Sequence, residues 1–266
     1  MSISVVKIAK LCCWAALFST SKSNAEHLNV ASDIWCPYIC ESNNAPGYLV
    51  ELTKAIYLQH NITLKLAPMP YARALDLAQK NKIDIVLGVT HEELSNYKLL
   101  RSRLTIGQFS NDFFVYGNNK WRYTSNNGLL QYLAQGNKVA IIKGYTYGDY
   151  LDMLIKARPE YFHIAYGDTP LETNLEMLAM GRVKLVVEAR ASVMSSAPPT
   201  IKSKLVYAGT EGQPISLHVG FAPQTQQKYL TLLDQGIENY RASGQLATLL
   251  AKYGITDWAP SKPVRQ

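Results

Sequence analysis

Dense runs of one charge, paired metal-ligand spacings, long apolar stretches and cysteine are all scarce in this chain of 266 residues. No short window is a Lys/Arg block. The formal net charge is +7, and Lys7, Lys10 and Lys22 near the start supply three of those charges. That balance gives nucleic-acid binding little support. The histidines, His27, His60, His91, His163 and His218, are scattered, so neither a metal nor a cofactor is expected. No Ser-His-Asp order and no close carboxylate pair stands out, so the chain reads as a binder rather than an enzyme. Glu188 and Glu92 are the only acid/base candidates. No later segment is long enough to span a membrane, which takes about 20 apolar residues.

The first 25 residues read as a Sec-type signal peptide: Lys7 and Lys10, an apolar run from Leu11 to Phe18, then Ser23-Asn24-Ala25 for cleavage. The remainder is long enough for two domains of ordinary size. Of the four cysteines, Cys36 and Cys40 lie beyond the leader. In an exported chain a pair this close reads as a small disulfide loop; the rival, a metal site, would need two more ligands. The loop carries Trp35 and Tyr38, and fixing its shape is the role expected of the pair.

Strands and helices alternate, which argues for a mainly parallel sheet covered by helices. Strands are expected at Leu28–Ala31, Ile62–Leu66, Ile83–Val89, Leu104–Ile106, Phe113–Tyr116, Lys138–Ile142, Phe162–Tyr166, Leu185–Glu188 and Ile215–Phe221. Helices are expected at Tyr48–His60, Tyr71–Lys80, Asp149–Ala157, Leu171–Met180, Gln226–Arg241 and Gln245–Tyr253. Two polar stretches, Gly117–Lys120 and Asn126–Gly128, suggest a boundary. Lobe one would take 26–116 plus 222–266, with 117–221 inserted as lobe two. The two connections would run near Phe114–Tyr116 and Val219–Phe221. No internal repeat is visible. Open α/β sheets bind ligands beyond the carboxyl ends of their strands, so two facing sheets make a cleft.

The order of pieces resembles the family 3 extracellular solute-binding proteins. Carrying it are Trp35-x-Pro37-Tyr38 after the first strand, Pro46-Gly47-Tyr48-Leu49-Val50-Glu51-Leu52 and Lys82 to Thr90. They continue with Lys143-Gly144-Tyr145-Thr146-Tyr147 and a closing Tyr253-Gly254-Ile255. Pro70-Tyr71-Ala72-Arg73-Ala74-Leu75 resembles a subgroup. The resemblance implies a type II periplasmic-binding-protein fold: two α/β lobes joined by two hinge strands around a cleft. It further implies a periplasmic monomer that delivers a small polar ligand to an ABC permease, or signals to a membrane sensor. The dehydratases of the same fold are the enzymatic alternative. Two departures count against an ordinary L-amino-acid ligand. The stretch His91–Lys98, just after Thr90, holds no arginine to clamp a carboxylate, and Lys184 stands where lobe two often has an acid.

Trp35 and Tyr38 could stack on a ligand or hold a cation over a ring. Arg73 could supply a guanidinium fork, or pair with Asp76. Thr90 could meet ligand, or cap a short helix from His91. Tyr145 and Thr146 precede a helix whose start could favour an anion. Glu188 could hold an amine, or pair with Arg190.

Overall fold

The computed structural model describes residues 26–258. The sequence-predicted signal peptide, residues 1–25, lies outside the described residues.

The sheet follows the path β2-β1-β3-β9-β5-β8-β6-β7, with β4 pairing β9. Its first half belongs to one lobe. There β1 (Glu26–Ser32) pairs in parallel with β2 (Ile62–Pro68) and β3 (Ile85–Val89). Helices α1 (Tyr48–Leu58) and α2 (Tyr71–Gln79) connect them. Helix α3 (His91–Asn96) and the two-residue β4 (Leu100–Arg101) follow β3. The second lobe holds β5 (Gly107–Tyr116), α4 (Asn126–Ala134), β6 (Val139–Ile142), α5 (Asp149–Ala157) and β7 (Phe162–Ala165). It continues with α6 (Pro170–Ala179), β8 (Leu185–Glu188), α7 (Arg190–Ser196) and α8 (Pro199–Lys202). The chain returns along β9 (Leu205–Phe221) and ends in α9 (Gln227–Ala242) and α10 (Gln245–Lys252), packed on α1.

Two strands join the lobes. β9 pairs antiparallel with β5 over Leu205 to Leu217, then with β3 and β4 over His218 to Phe221. Ile106, Leu217, Val219 and Phe221 sit in the first core; Phe113, Val115 and Ala208 sit in the second. Between them the register slips, from Phe109 opposite Ile215 to Asn111 opposite Glu211. Gly212, Gln213 and Pro214 occupy that slip, where a proline that cannot donate to the ladder is tolerated.

Most elements match expectation within a residue or two, because buried parallel strands and amphipathic helices leave strong patterns. Three do not. Leu104–Ile106 is not a strand: the Leu104 N–H donates to the Asp234 carboxylate, and the Ile106 N–H donates to the Leu217 carbonyl from outside the ladder. The expected polar boundary at Asn126–Gly128 opens α4 instead, with the Ser125 hydroxyl accepting from the Gly128 N–H. The stretch Ser195–Pro199, where no helix is expected, is occupied largely by the ends of α7 and α8.

Candidate functional site

Residues from the carboxyl ends of β1 and β3 meet lobe two across the cleft. After β1 the chain makes a tight loop. Cys36 and Cys40 are disulfide-bonded, with Cα atoms 4.8 Å apart. Trp35 and Ile39 form a bridge, Trp35 N donating to the Ile39 carbonyl at 2.8 Å. The loop holds Trp35 and Tyr38 stacked, ring centroids 3.9 Å apart and 13° from parallel. Gly47 has φ +92°, and a Cβ there would lie 2.3 Å from the Tyr38 carbonyl oxygen. Only glycine lets α1 start against this loop.

Three side-chain hydrogen bonds join the lobes. Trp35 donates its indole N–H to Glu188 Oε1 at 3.0 Å. The Tyr145 hydroxyl donates to Asp33 Oδ2 at 2.5 Å. The Thr146 hydroxyl donates to Glu93 Oε1 at 2.7 Å. They surround a cavity of about 30 Å³ walled by Trp35, Tyr71, Phe109 and Tyr145, with Asp33 and Glu93 as its acids and Thr90 and Thr146 as hydroxyls. That is room for one or two water-sized groups.

The acids share an unusual setting. Glu188 is 3% exposed. Its Oε1 also accepts the Ala189 N–H at 2.7 Å, while Oε2 has no hydrogen-bond partner among the described residues. Burial pushes its carboxyl up to about 7, against the stabilising donors Ala189 and Trp35. Burial likewise pushes Asp33 to about 6, although Tyr145 donates to it. Glu93 is raised by burial despite the Thr90 N–H, Tyr71 and Thr146 that donate to it. None of the six ion pairs among the described residues involves these acids.

Of the sequence-predicted residues, Trp35, Thr90, Tyr145 and Thr146 line one cavity, and Glu188 is bonded to Trp35. Tyr38 stacks behind Trp35 and does not line it. Arg73 is exposed on the rim of an outer hollow of about 370 Å³ with Lys143, Tyr166 and Gly167. Asp76 pairs with Lys80 rather than with Arg73, and Glu188 does not pair with Arg190. Thr90 caps α3 in a full capping box with Glu93. The start of α5 is not open to an external anion at Tyr147, whose N–H donates to both Asp152 oxygens, at 3.0 and 3.1 Å. Glu92 is exposed, and its neighbour Glu93 is the buried acid.

Sequence reasoning missed Asp33, Tyr71, Glu93 and Phe109. The signals for two were present: Asp33 directly follows a strand end, and Thr90-x-x-Glu93 is a capping-box pattern at another.

The family model for "Bacterial extracellular solute-binding proteins, family 3" matches residues 28–256. No curated protein sequence matches the chain. Among solved structures, a histidine kinase sensor domain with similarity to periplasmic binding proteins superposes with TM-score 0.71 at 18% identity, covering 85% of this chain and 95% of that one. A mutant of ArgBP from T. maritima gives TM-score 0.68 at 18% identity, over 86% and 95%. The GluR0 ligand-binding core from Nostoc punctiforme, in complex with L-glutamate, gives 0.67 at 19%, over 85% and 98%. At such identities the structures show a shared fold. The matched model spans nearly all the described residues, and the chain belongs to the bacterial extracellular solute-binding proteins, family 3.

Proposed function

We propose that this chain captures a small polar solute between its lobes by closing over it, and that the loaded form acts on a membrane partner. One observation carries the reading: three hydrogen bonds from opposite lobes converge around a single cavity. A solute that engages Asp33 and Glu93 on one side, and Tyr145 and Thr146 on the other, gains its full contacts only when the lobes meet. That difference in affinity is what shifts an open–closed equilibrium.

The hinge in this reading lies at Asn111 and at Gly212–Pro214, where the β5–β9 register slips. The segments Phe114–Tyr116 and Val219–Phe221 are packed into the cores on either side. Trp35, Thr90, Tyr145, Thr146 and Glu188 form the capture site. Tyr38 supports Trp35, and Arg73 serves the rim. Export through residues 1–25, action as a monomer and delivery to an ABC permease belong to the same proposal. A sensing role is the second reading, favoured by the similarity to a kinase sensor domain.

The test is a thermal-shift screen of amines, amino acids and small organic acids, followed by X-ray scattering with each hit. A captured solute raises the melting temperature by mass action and lowers the radius of gyration. If hits leave the radius unchanged, or if Glu93→Gln and Thr146→Ala both leave affinity untouched, the cleft is not the capture site.

A further inference from the structure

The inner cavity is lopsided in charge. Asp33 and Glu93 face it, and among the described residues no lysine or arginine lines it. Behind Trp35 stands Glu188, almost wholly buried, with one oxygen lacking a hydrogen-bond partner among the described residues. A carboxylate brought into this space would meet like charge in low dielectric with nothing to balance it.

The walls point the same way. Phe109 meets the Trp35 ring edge-on at 5.4 Å, Tyr145 meets it at 6.4 Å, and Tyr71 meets Tyr145 at 5.6 Å. Ring faces grouped beside acids form a setting in which an ammonium or guanidinium is attracted by both the rings and the carboxylates.

The cavity is also too small for a whole solute. At about 30 Å³ it takes a head group, and the remainder must pass Asp33, which lines two outer hollows as well. The hollow of about 370 Å³ carries Arg73 and Lys143. The other, about 320 Å³, carries Glu41, Asp168 and Glu172. The second suits another positive charge.

We infer that the solute is an organic cation without a carboxylate, an alkyl diamine or polyamine, with one ammonium held by Asp33, Glu93 and the aromatic walls and its chain running out along Asp33 toward Glu41, Asp168 and Glu172. The inference rests on the reading of the cleft as the capture site. An α-amino acid is disfavoured because its carboxylate and ammonium share one carbon, so the carboxylate would enter beside Asp33.

The experiment is calorimetry at pH 7.5 with putrescine, spermidine, agmatine, arginine, glutamine and glutamate as probes. Putrescine or spermidine is expected to bind with a Kd of about 100 µM or tighter, and glutamate and glutamine about a hundredfold more weakly. Asp33→Asn and Glu93→Gln should each weaken the amine about tenfold. Glutamine can occupy the capping-box position, so Glu93→Gln keeps α3 capped. Arginine binding as tightly as agmatine, or glutamine or glutamate binding while the amines do not, overturns the charge assignment and leaves capture standing. No binding by any amine also overturns it; the broader screen then judges capture on its own.

Discussion

Trp35 and Glu188, 153 residues apart in sequence, meet across the cleft in a hydrogen bond from indole N–H to carboxylate at 3.0 Å. Each is oriented from its own lobe. Trp35 is held by the Cys36–Cys40 loop and by stacking on Tyr38, and Glu188 by the Ala189 N–H. Trp35→Phe keeps the ring and deletes the donor, leaving a buried carboxylate with one partner fewer. The expected loss is about 1–3 kcal/mol of unfolding free energy, read by urea denaturation at pH 7. An unchanged midpoint would show that the bond does not form in solution.

Glu188 also predicts a pH dependence. Its carboxyl is raised from 4.5 to about 7, chiefly by burial and further by the charges of Asp33 and Asp112. The folded state therefore holds the proton more tightly than the unfolded one. The stability this contributes is fully present below pH 4.5 and is lost as pH rises through 7. Asp33 and Asp152, each raised to about 6, act in the same direction. His218, lowered to about 4 by burial and by Arg101 and His91, acts in the opposite one. A difference measurement isolates Glu188: the melting temperature of Glu188→Gln minus that of the unchanged protein should grow from pH 4.5 to 7 and level off above. A flat difference would rule out the raised carboxyl.

Gly144 touches the other lobe. Its φ is +87°, and a Cβ there would lie 2.9 Å from the Cβ of Ala72. Gly144→Val should hold the lobes apart, enlarging the radius of gyration and weakening solute binding about tenfold, or about 1.4 kcal/mol. Gly136→Val is the control, since Gly136 has the same φ with nothing within 4 Å. Both variants take on the left-handed backbone cost of about 1–2 kcal/mol. Only Gly144→Val should change the scattering.

The disulfide closes a very short loop, so the chain-entropy account assigns it about 2 kcal/mol, the low end for such bridges. The Cys36→Ser/Cys40→Ser double variant should fold and lose about that much in denaturant titration. Its greater effect should be on solute affinity, because Trp35 and Tyr38 lose the loop that positions them. Equal affinity in the variant would limit the bridge to a role in stability.

The sequence was informative where local pattern and tertiary role coincide. Val139–Ile142 and Leu185–Glu188 read as buried strands because both of their faces are apolar or enclosed. Asp149–Ala157 read as a helix because its apolar spacing matches one buried face. Strand β9 was legible only in its last third. Gly209, Gly212 and Pro214 interrupt the pattern, and the chain tolerates them because the pairing slips there. In the site, Trp35, Thr90, Tyr145 and Thr146 were legible as residues at strand ends and helix starts. Glu93 was not: a buried glutamate at the third position of a surface-type helix looks like an ordinary capping residue until Thr146 and Tyr71 are seen to donate to it.

By itself, then, the order of apolar segments, turns and caps determined the two-lobed α/β frame, because hydrophobic periodicity and turn chemistry are local and survive in one dimension. The tertiary structure alone decided which acids share the cleft, that Arg73 stays at its rim, and that Asp33 and Glu93 line an inner cavity with no lysine or arginine among its described lining residues, with Glu188 buried beside it. Those facts depend on the angle at which two lobes meet, and on the desolvation that their meeting imposes on groups 53 to 153 residues apart.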